Sequence, residues 1–443
     1  MNQKNPTETP LAGLSRRSFV QAAAAAGAAA TVLPISARAQ AVGNSTIKVA
    51  LVGCGGRGSG AANEALNNDG VKLVAMADVF RDRLDGSYNS IAQSRSDKMD
   101  VPEERKFIGF DAYKDAIKEA DLVILATPPG FRPAMFEEAV KQGKHVFMEK
   151  PVAVDAPGIR RVLAAAKEAD EKGLKVVCGL QRHYQNAYTE SYKQVHEEGA
   201  IGDIISGQVY WNGGGVWVRP RSEGETEMQY QMKNWYYFNW LCGDHITEQH
   251  VHNIDVFNWF KGGHPVSAQG MGGREVRDGS PDFGEIYDHH FVEFKYADGT
   301  ILNSQCRHIQ GCWTSVSETI VGTKGVLELG NGRIKGHDGN EIWRHQGRGD
   351  PNPYQVEHDV LQKHIREDIP INNAFYTAES TFASILGRYC TYSGKELKWD
   401  EALASGADLM PDNLAWDADP KVMPMENGLY PVAVPGQFDY TKA

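Results

Sequence analysis

A short apolar run from Ile47 to Val52 ends in Gly53-Cys54-Gly55-Gly56-Arg57-Gly58, and no other stretch restricts the fold so strongly. An apolar run followed by Gly-x-Gly-x-x-Gly reads as a strand, a tight turn and the start of a helix. Gly53 permits the turn, Gly55 lets the backbone approach a pyrophosphate, and Gly58 lets the helix sit close to the strand. Gly56 and Arg57 complete the candidate phosphate-binding turn, where a helix N-terminus offers unpaired N–H groups and the positive end of its dipole. Val71 to Ala77 reads as a second strand with Asp78 at its end. A carboxylate there accepts hydrogen bonds from an adenosine ribose and repels a 2′-phosphate, so NAD is favoured. Arg81 and Arg83 close behind keep NADP as the alternative, and a helix cap is the bland reading of Asp78. The expectation is a dinucleotide-binding domain.

The rest of the chain can be bounded from its bulk properties. Its 443 residues suffice for two domains. The first 39 residues carry Lys4, Arg16, Arg17 and Arg38 against Glu8, so a formal charge of -11 becomes -14 without them. Such acidity argues against nucleic acid or an anionic membrane surface as partner. Six scattered cysteines with no Cys-x-x-Cys pair suggest neither a zinc ribbon nor a disulfide framework. Ser15-Arg16-Arg17-Ser18-Phe19-Val20, an uncharged Ala-rich stretch and Ala37-Arg38-Ala39 read as a twin-arginine signal with a cleavage site. The expected mature protein is periplasmic or secreted, without a membrane anchor.

Strand and helix patterns alternate from Ile47 to Glu149, and Leu122 to Ala126 is the continuous apolar run of a strand buried on both faces. The fold class expected is α/β: an N-terminal doubly wound parallel (Rossmann) sheet, then a C-terminal α+β domain with a mostly antiparallel sheet. The division read from the sequence is a signal peptide over 1–39, a nucleotide-binding domain over 46–170, a substrate and oligomerisation domain over 171–400, and an extended tail over 401–443.

Two stretches carry candidate chemistry. Glu149-Lys150-Pro151 follows a strand where a nicotinamide would lie, and a lysine there can stabilise a developing alkoxide. Thr127-Pro128, after Leu122 to Ala126, and Glu149 join the candidate cofactor contacts. Read as one helix, Gly243 to Phe260 places His245, Glu248, His252 and Asp255 on one polar stripe, with Val251, Ile254 and Phe257 facing the core. The stripe suits a proton acceptor. Convergence of His245, Glu248 and His252 on a metal is the competing reading, but their spacing fits no known zinc motif and no metal ligands are assigned. Lys150, His252 and Glu248 are the candidate catalytic residues. Arg182, Trp235, Tyr236, His245 and Asp255 are placed on the substrate side, where aromatic rings suit the apolar faces of a sugar.

Together these residues resemble the glucose–fructose oxidoreductase / inositol dehydrogenase / rhizopine-catabolism (Gfo/Idh/MocA) family. The Gly53–Gly58 fingerprint, Thr127-Pro128, Gly143-Lys144-His145-Val146 leading to Glu149-Lys150-Pro151, and His252-x-x-Asp255 match in order and spacing over roughly Ile47 to Trp399. The resemblance implies hydride transfer between a nicotinamide cofactor and a sugar or polyol carbon. Lys150 would then polarise the hydroxyl, His252 would be the base, and an open C-terminal sheet would mediate a dimer or tetramer. Two places depart from the family pattern: Glu248 and His250 stand where many members have Asp and Gly, and Arg132 where many have His. A glycoside hydrolase that oxidises its sugar transiently ranks second, ahead of a non-catalytic sugar-binding protein or a metal-dependent hydrolase. Because a periplasm holds no nucleotide pool, a tightly held cofactor and ping-pong turnover are expected.

Overall fold

The computed structural model describes residues 45–442 apart from Asp278. The twin-arginine stretch and its cleavage motif lie outside the described residues. A first sheet is built from β1 (Ile47–Val52), β2 (Val71–Asp78), β3 (Lys106–Ile108), β4 (Leu122–Leu125), β5 (His145–Met148) and β6 (Val176–Cys178). All its pairings are parallel, in the order β3-β2-β1-β4-β5-β6. Strand order therefore reverses between β1 and β4, and in such sheets the ligand crevice opens at the carboxyl ends beside that switch. β4 is buried at every position, as a strand covered by helices on both faces must be. The sheet runs on to Cys178, past the boundary expected at 170.

The second sheet contains β7 (Ile204–Gly213), β8 (Ser267–Gly273), β9 (His289–Lys295), β10 (Ile301–His308), β11 (Ser315–Gly322), β12 (Gly325–Glu328), β13 (Arg333–Gly336), β14 (Glu341–Arg344) and β15 (Leu397–Lys398). Its order is β14-β13-β12-β11-β7-β10-β9-β8-β15, and only β10 with β7 pairs in parallel. Ala297-Asp298-Gly299 makes the turn between β9 and β10, with Gly299 N donating to Tyr296 O at 2.9 Å.

The chain then returns to the first sheet. The helix Pro353–Arg366 buries Leu361 and Ile365 in the same core cluster as Val49, Leu51 and Phe147. Gln362 Nε2 donates to Ala65 O at 2.9 Å, and the His358 ring lies 4.2 Å from that of Phe147. The long helix Ala374–Ser393 is buried along almost its whole length. After the helix Trp399–Ser405 the tail forms no further helix or strand among the described residues, yet it lies against the body, with Tyr430 buried. No helix among the described residues is long and apolar enough to cross a membrane. All six cysteines are free, five of them buried.

Candidate active site

A cavity of about 960 Å³ opens at the carboxyl ends of β1, β2, β4 and β5. The glycine turn forms one side. Gly53 has φ +94, and a Cβ there would lie 2.6 Å from the Ala126 carbonyl carbon; a Cβ on Gly58 would lie 2.0 Å from Gly53 O. Both positions require glycine, because the turn, the helix start and the β4 loop are in backbone contact. Around Gly55 and Gly56, by contrast, no atom beyond the adjoining backbone lies within 4 Å of where a Cβ would stand, and both line the cavity. This leaves the cradle that a pyrophosphate needs at the start of the helix Gly56–Leu66.

Asp78 lines the same cavity. Its carboxylate accepts from Cys54 N at 2.7 Å and Phe80 N at 2.9 Å. A carboxylate has about four acceptor positions, so it keeps capacity for ribose hydroxyls. Burial raises its pKa, and the backbone donors work against that rise. Arg81 is ion-paired with Asp85 and Glu103 and does not line the cavity, whereas Arg83 lines it and its charge works to lower the Asp78 pKa. Arg57 Nε pairs with Glu149 Oε1 at 2.7 Å and lies under the Tyr354 ring. Thr127 and Pro128 complete this end.

At the other end, Lys150, Glu248 and His252 line the cavity together. Lys150 Nζ donates to Glu248 O at 2.5 Å and Oε1 at 3.2 Å, so the glutamate holds the ammonium from both its backbone and its side chain. His252 is nearly buried beside Trp211, and its Nδ1 has no hydrogen-bond partner. Burial, then the charges of Lys150 and Arg182, hold its pKa well below the usual histidine value. The imidazole is consequently neutral near pH 7, the state in which it can accept a proton.

Four residues placed on the substrate side lie elsewhere. Arg182 is buried in an ion pair with Glu318, which also accepts from Tyr188 and Asn253. It sits behind His252 and does not line the cavity. Asp255 accepts from His183 Nε2 and Ser380 Oγ, both at 2.8 Å, and ties its helix to neighbouring elements. His245 bonds Asp244 Oδ1 at 2.7 Å and stacks on His308. Tyr236 is buried between Trp217 and His308 with an unpartnered hydroxyl. Trp235 does line the cavity.

The expected single stripe fails because Gly243 to Phe260 is not one helix. His245–Glu248 and Val251–Lys261 are separate, and Asp244 enters the first at φ +68. Val251, Ile254 and Phe257 are fully buried, as expected. Among the described residues, the ligand atoms that come together are those of Asp244, His245 and His290, within 4.8 Å of one another, and not those of His245, Glu248 and His252. The Asp244 carboxylate is already bonded to Tyr392 Oη at 2.6 Å and Tyr287 N at 3.0 Å.

The cavity also draws on residues that no motif or spacing marks as part of a site. Gln181 lines it with Oε1 buried and unpartnered, and Tyr354 arrives from the late helix Pro353–Arg366. Arg132 is buried in its wall, donating to Pro151 O and, at 2.7 Å, to Thr127 O. It joins the Thr-Pro loop to the Glu-Lys-Pro segment, and burial lowers its pKa to about 10.

Comparison with known proteins agrees with this fold. Residues 47–177 match the family described as an oxidoreductase family with an NAD-binding Rossmann fold, and residues 189–328 match the GFO/IDH/MocA C-terminal domain. An inositol 2-dehydrogenase of Rhizobium meliloti is 23% identical over 293 residues, 65% of this chain and 77% of the relative. A glycosyl hydrolase family 109 protein of Shewanella pealeana is 28% identical over 216 residues, 44% of this chain and 45% of that protein. The crystal structure of aldose-aldose oxidoreductase from Caulobacter crescentus shares the fold, with TM-score 0.61 and 18% identity, covering 80% of this chain and 99% of its own. With both family domains matched in order across more than half its length, the chain belongs to the Gfo/Idh/MocA oxidoreductase family and carries its NAD-binding Rossmann fold.

Proposed function

We propose that this protein transfers hydride between a tightly bound NAD and a hydroxyl-bearing carbon of a sugar, polyol or glycoside. One observation carries the reading: Lys150, Glu248 and His252 face the same cavity as the open glycine cradle and Asp78. Bound there, NAD supplies the hydride acceptor. His252, neutral and partly desolvated, takes the hydroxyl proton. Lys150, oriented by Glu248, stabilises the alkoxide that forms, and the carbon loses its hydrogen as hydride to become a carbonyl. Trp217 and Trp235 in the cavity wall suit the apolar face of a sugar ring. The inositol dehydrogenase relative supports a polyol or sugar as substrate.

The test is to denature the purified protein, analyse the released small molecules, and then screen sugars and polyols for change at 340 nm. Released NAD(H) and a substrate-dependent 340 nm signal are expected. A protein that carries none and binds none when it is added overturns the reading. The family 109 relative favours a second reading, hydrolysis through transient oxidation. Turnover of a nitrophenyl glycoside without net NADH would establish it.

The reading includes export by the twin-arginine signal to the periplasm or beyond, with no anchor after cleavage, and assembly as a dimer or tetramer. Exposed Ile205, Trp313 and Val316 on or beside strands of the second sheet support assembly through that sheet. Cell fractionation and light scattering test these two points.

A further inference from the structure

We infer that the C-terminal tail is a strap that retains the dinucleotide, and that Trp416 is its positioning residue on the nucleotide side. The inference rests on the reading that the cavity holds NAD. The tail lies beyond residue 328, where the match to the family's C-terminal domain ends, and forms no helix or strand after Ser405 among the described residues.

Its path joins two walls of the cavity. On the first-sheet side, Leu409 N donates to Asp155 Oδ2 at 2.8 Å. The Trp416 ring lies 5.2 Å from that of Phe80 and 4.8 Å from that of Phe110. Phe80 and Phe110 line the cavity beside the ribose-binding carboxylate, and Phe80 N is one of the donors that fix Asp78. On the opposite side, the segment 219–235 contributes Arg219, Glu225, Lys233 and Trp235 to the lining. The tail bonds that segment repeatedly: Thr226 Oγ1 donates to Trp416 O at 2.6 Å, Gln231 Nε2 to Val422 O at 2.7 Å, and Arg221 to Tyr430 Oη at 3.1 Å. Tyr430 also bonds Glu227. Trp416 therefore holds one wall with its ring and the other with its carbonyl.

The far end of the tail is fixed independently. Tyr287 Oη donates to Ala433 O at 2.8 Å, Gly436 N to Ser393 O at 2.8 Å, and Tyr440 stacks on Tyr389. Separating the walls far enough to release a dinucleotide would break the Trp416 contacts while the rest of the strap stayed anchored. Exchange of cofactor is then slow for a reason local to Trp416, since release is limited by opening of the covering elements.

The experiment measures the rate at which bound NADH fluorescence decays when the full-length protein is chased with excess NAD, for the unaltered chain, Trp416→Ala and Trp416→Phe. Expected are dissociation at least ten times faster for Trp416→Ala, recovery of most of that loss by Trp416→Phe, and turnover per bound NAD within twofold throughout. The melting temperature of Trp416→Ala separates a local effect from general loosening. Should that variant not fold, Thr226→Val removes one bond to the tail, together with the cap that Thr226 Oγ1 gives to Gln229 N, and is expected to speed release about threefold. Release from the folded variant within twofold of the unaltered chain overturns the strap while leaving the NAD reading intact. An unaltered chain that binds no NADH overturns both.

Discussion

The two ends of the cavity are built differently. The nucleotide end comes mainly from the continuous stretch between Val52 and Lys150, in which each loop leaves a parallel strand at the same edge of one sheet. The substrate end is assembled from Gln181, Trp217, Trp235, Glu248 and His252, carried by elements of several kinds. A βαβ repeat delivers its loops to one edge by topology, so its site can be read from spacing. A wall made from loops and short helices has no such rule. Its side chains are fixed by pairings over long sequence separations, as Glu248 is by Lys150.

The contrast is testable, starting with the largest effect. Lys150→Met removes the group proposed to stabilise the alkoxide but leaves the glycine cradle intact. We expect kcat/KM to fall by about 10³-fold, within the usual range for a positioned acid or base, with NAD still bound. Loss of NAD as well would show that the two ends are not separable. Asp78→Ala acts at the opposite end, and the expectation is NAD binding weakened about 10- to 100-fold, the value of one or two charge-assisted hydrogen bonds, with kcat at saturating NAD little changed. Titration of NADH fluorescence reads this directly. In the pH profile, the proposed proton acceptor His252 has a depressed pKa, so activity should be retained as pH falls through 6.5 and be lost only below it. An acid limb at or above 6.5 would assign the base elsewhere.

Stability has its own pH signature, carried by buried histidines outside the cavity. Burial holds His245 near a pKa of about 4 and His250 near about 3. Such groups bind protons more readily when unfolded, so their contribution is complete above about 6.5 and declines as pH falls toward the folded values. Urea midpoints should drop over that window. The smallest change is expected for Tyr236→Phe. Its hydroxyl is buried, unpartnered and outside the cavity, so activity should stay within twofold and stability hold or rise by about 1 kcal/mol.

What was legible in the sequence follows the same division. The parallel sheet, the glycine turn, Asp78 and the segment to Lys150 are local patterns, and their roles in the architecture follow from a strand and the turn after it. The second sheet was legible where β-branched or alternating runs met clear turns, as at β9 and β10. It was less so at β8, where Gly270, Gly272 and Gly273 stand in a strand. His245 and Asp255 were misplaced because a helical period was continued through Gln249 and His250, where the backbone interrupts it. Nothing near Tyr354 in sequence marks it as a cavity residue, since it reaches Arg57 only after the chain has built the second sheet and come back.

That return also sets an order of events during synthesis. The core of the first sheet includes Leu361 and Ile365, so the ribosome must complete eight of the nine strands of the second sheet, β7 to β14, before the first domain can finish burying its apolar surface. A nascent chain halted at Cys178 has every strand of its nucleotide fold and none of that late helix. The nucleotide fold is thus first to be encoded and among the last to be finished, and a chaperone would meet its exposed face for most of the translation time.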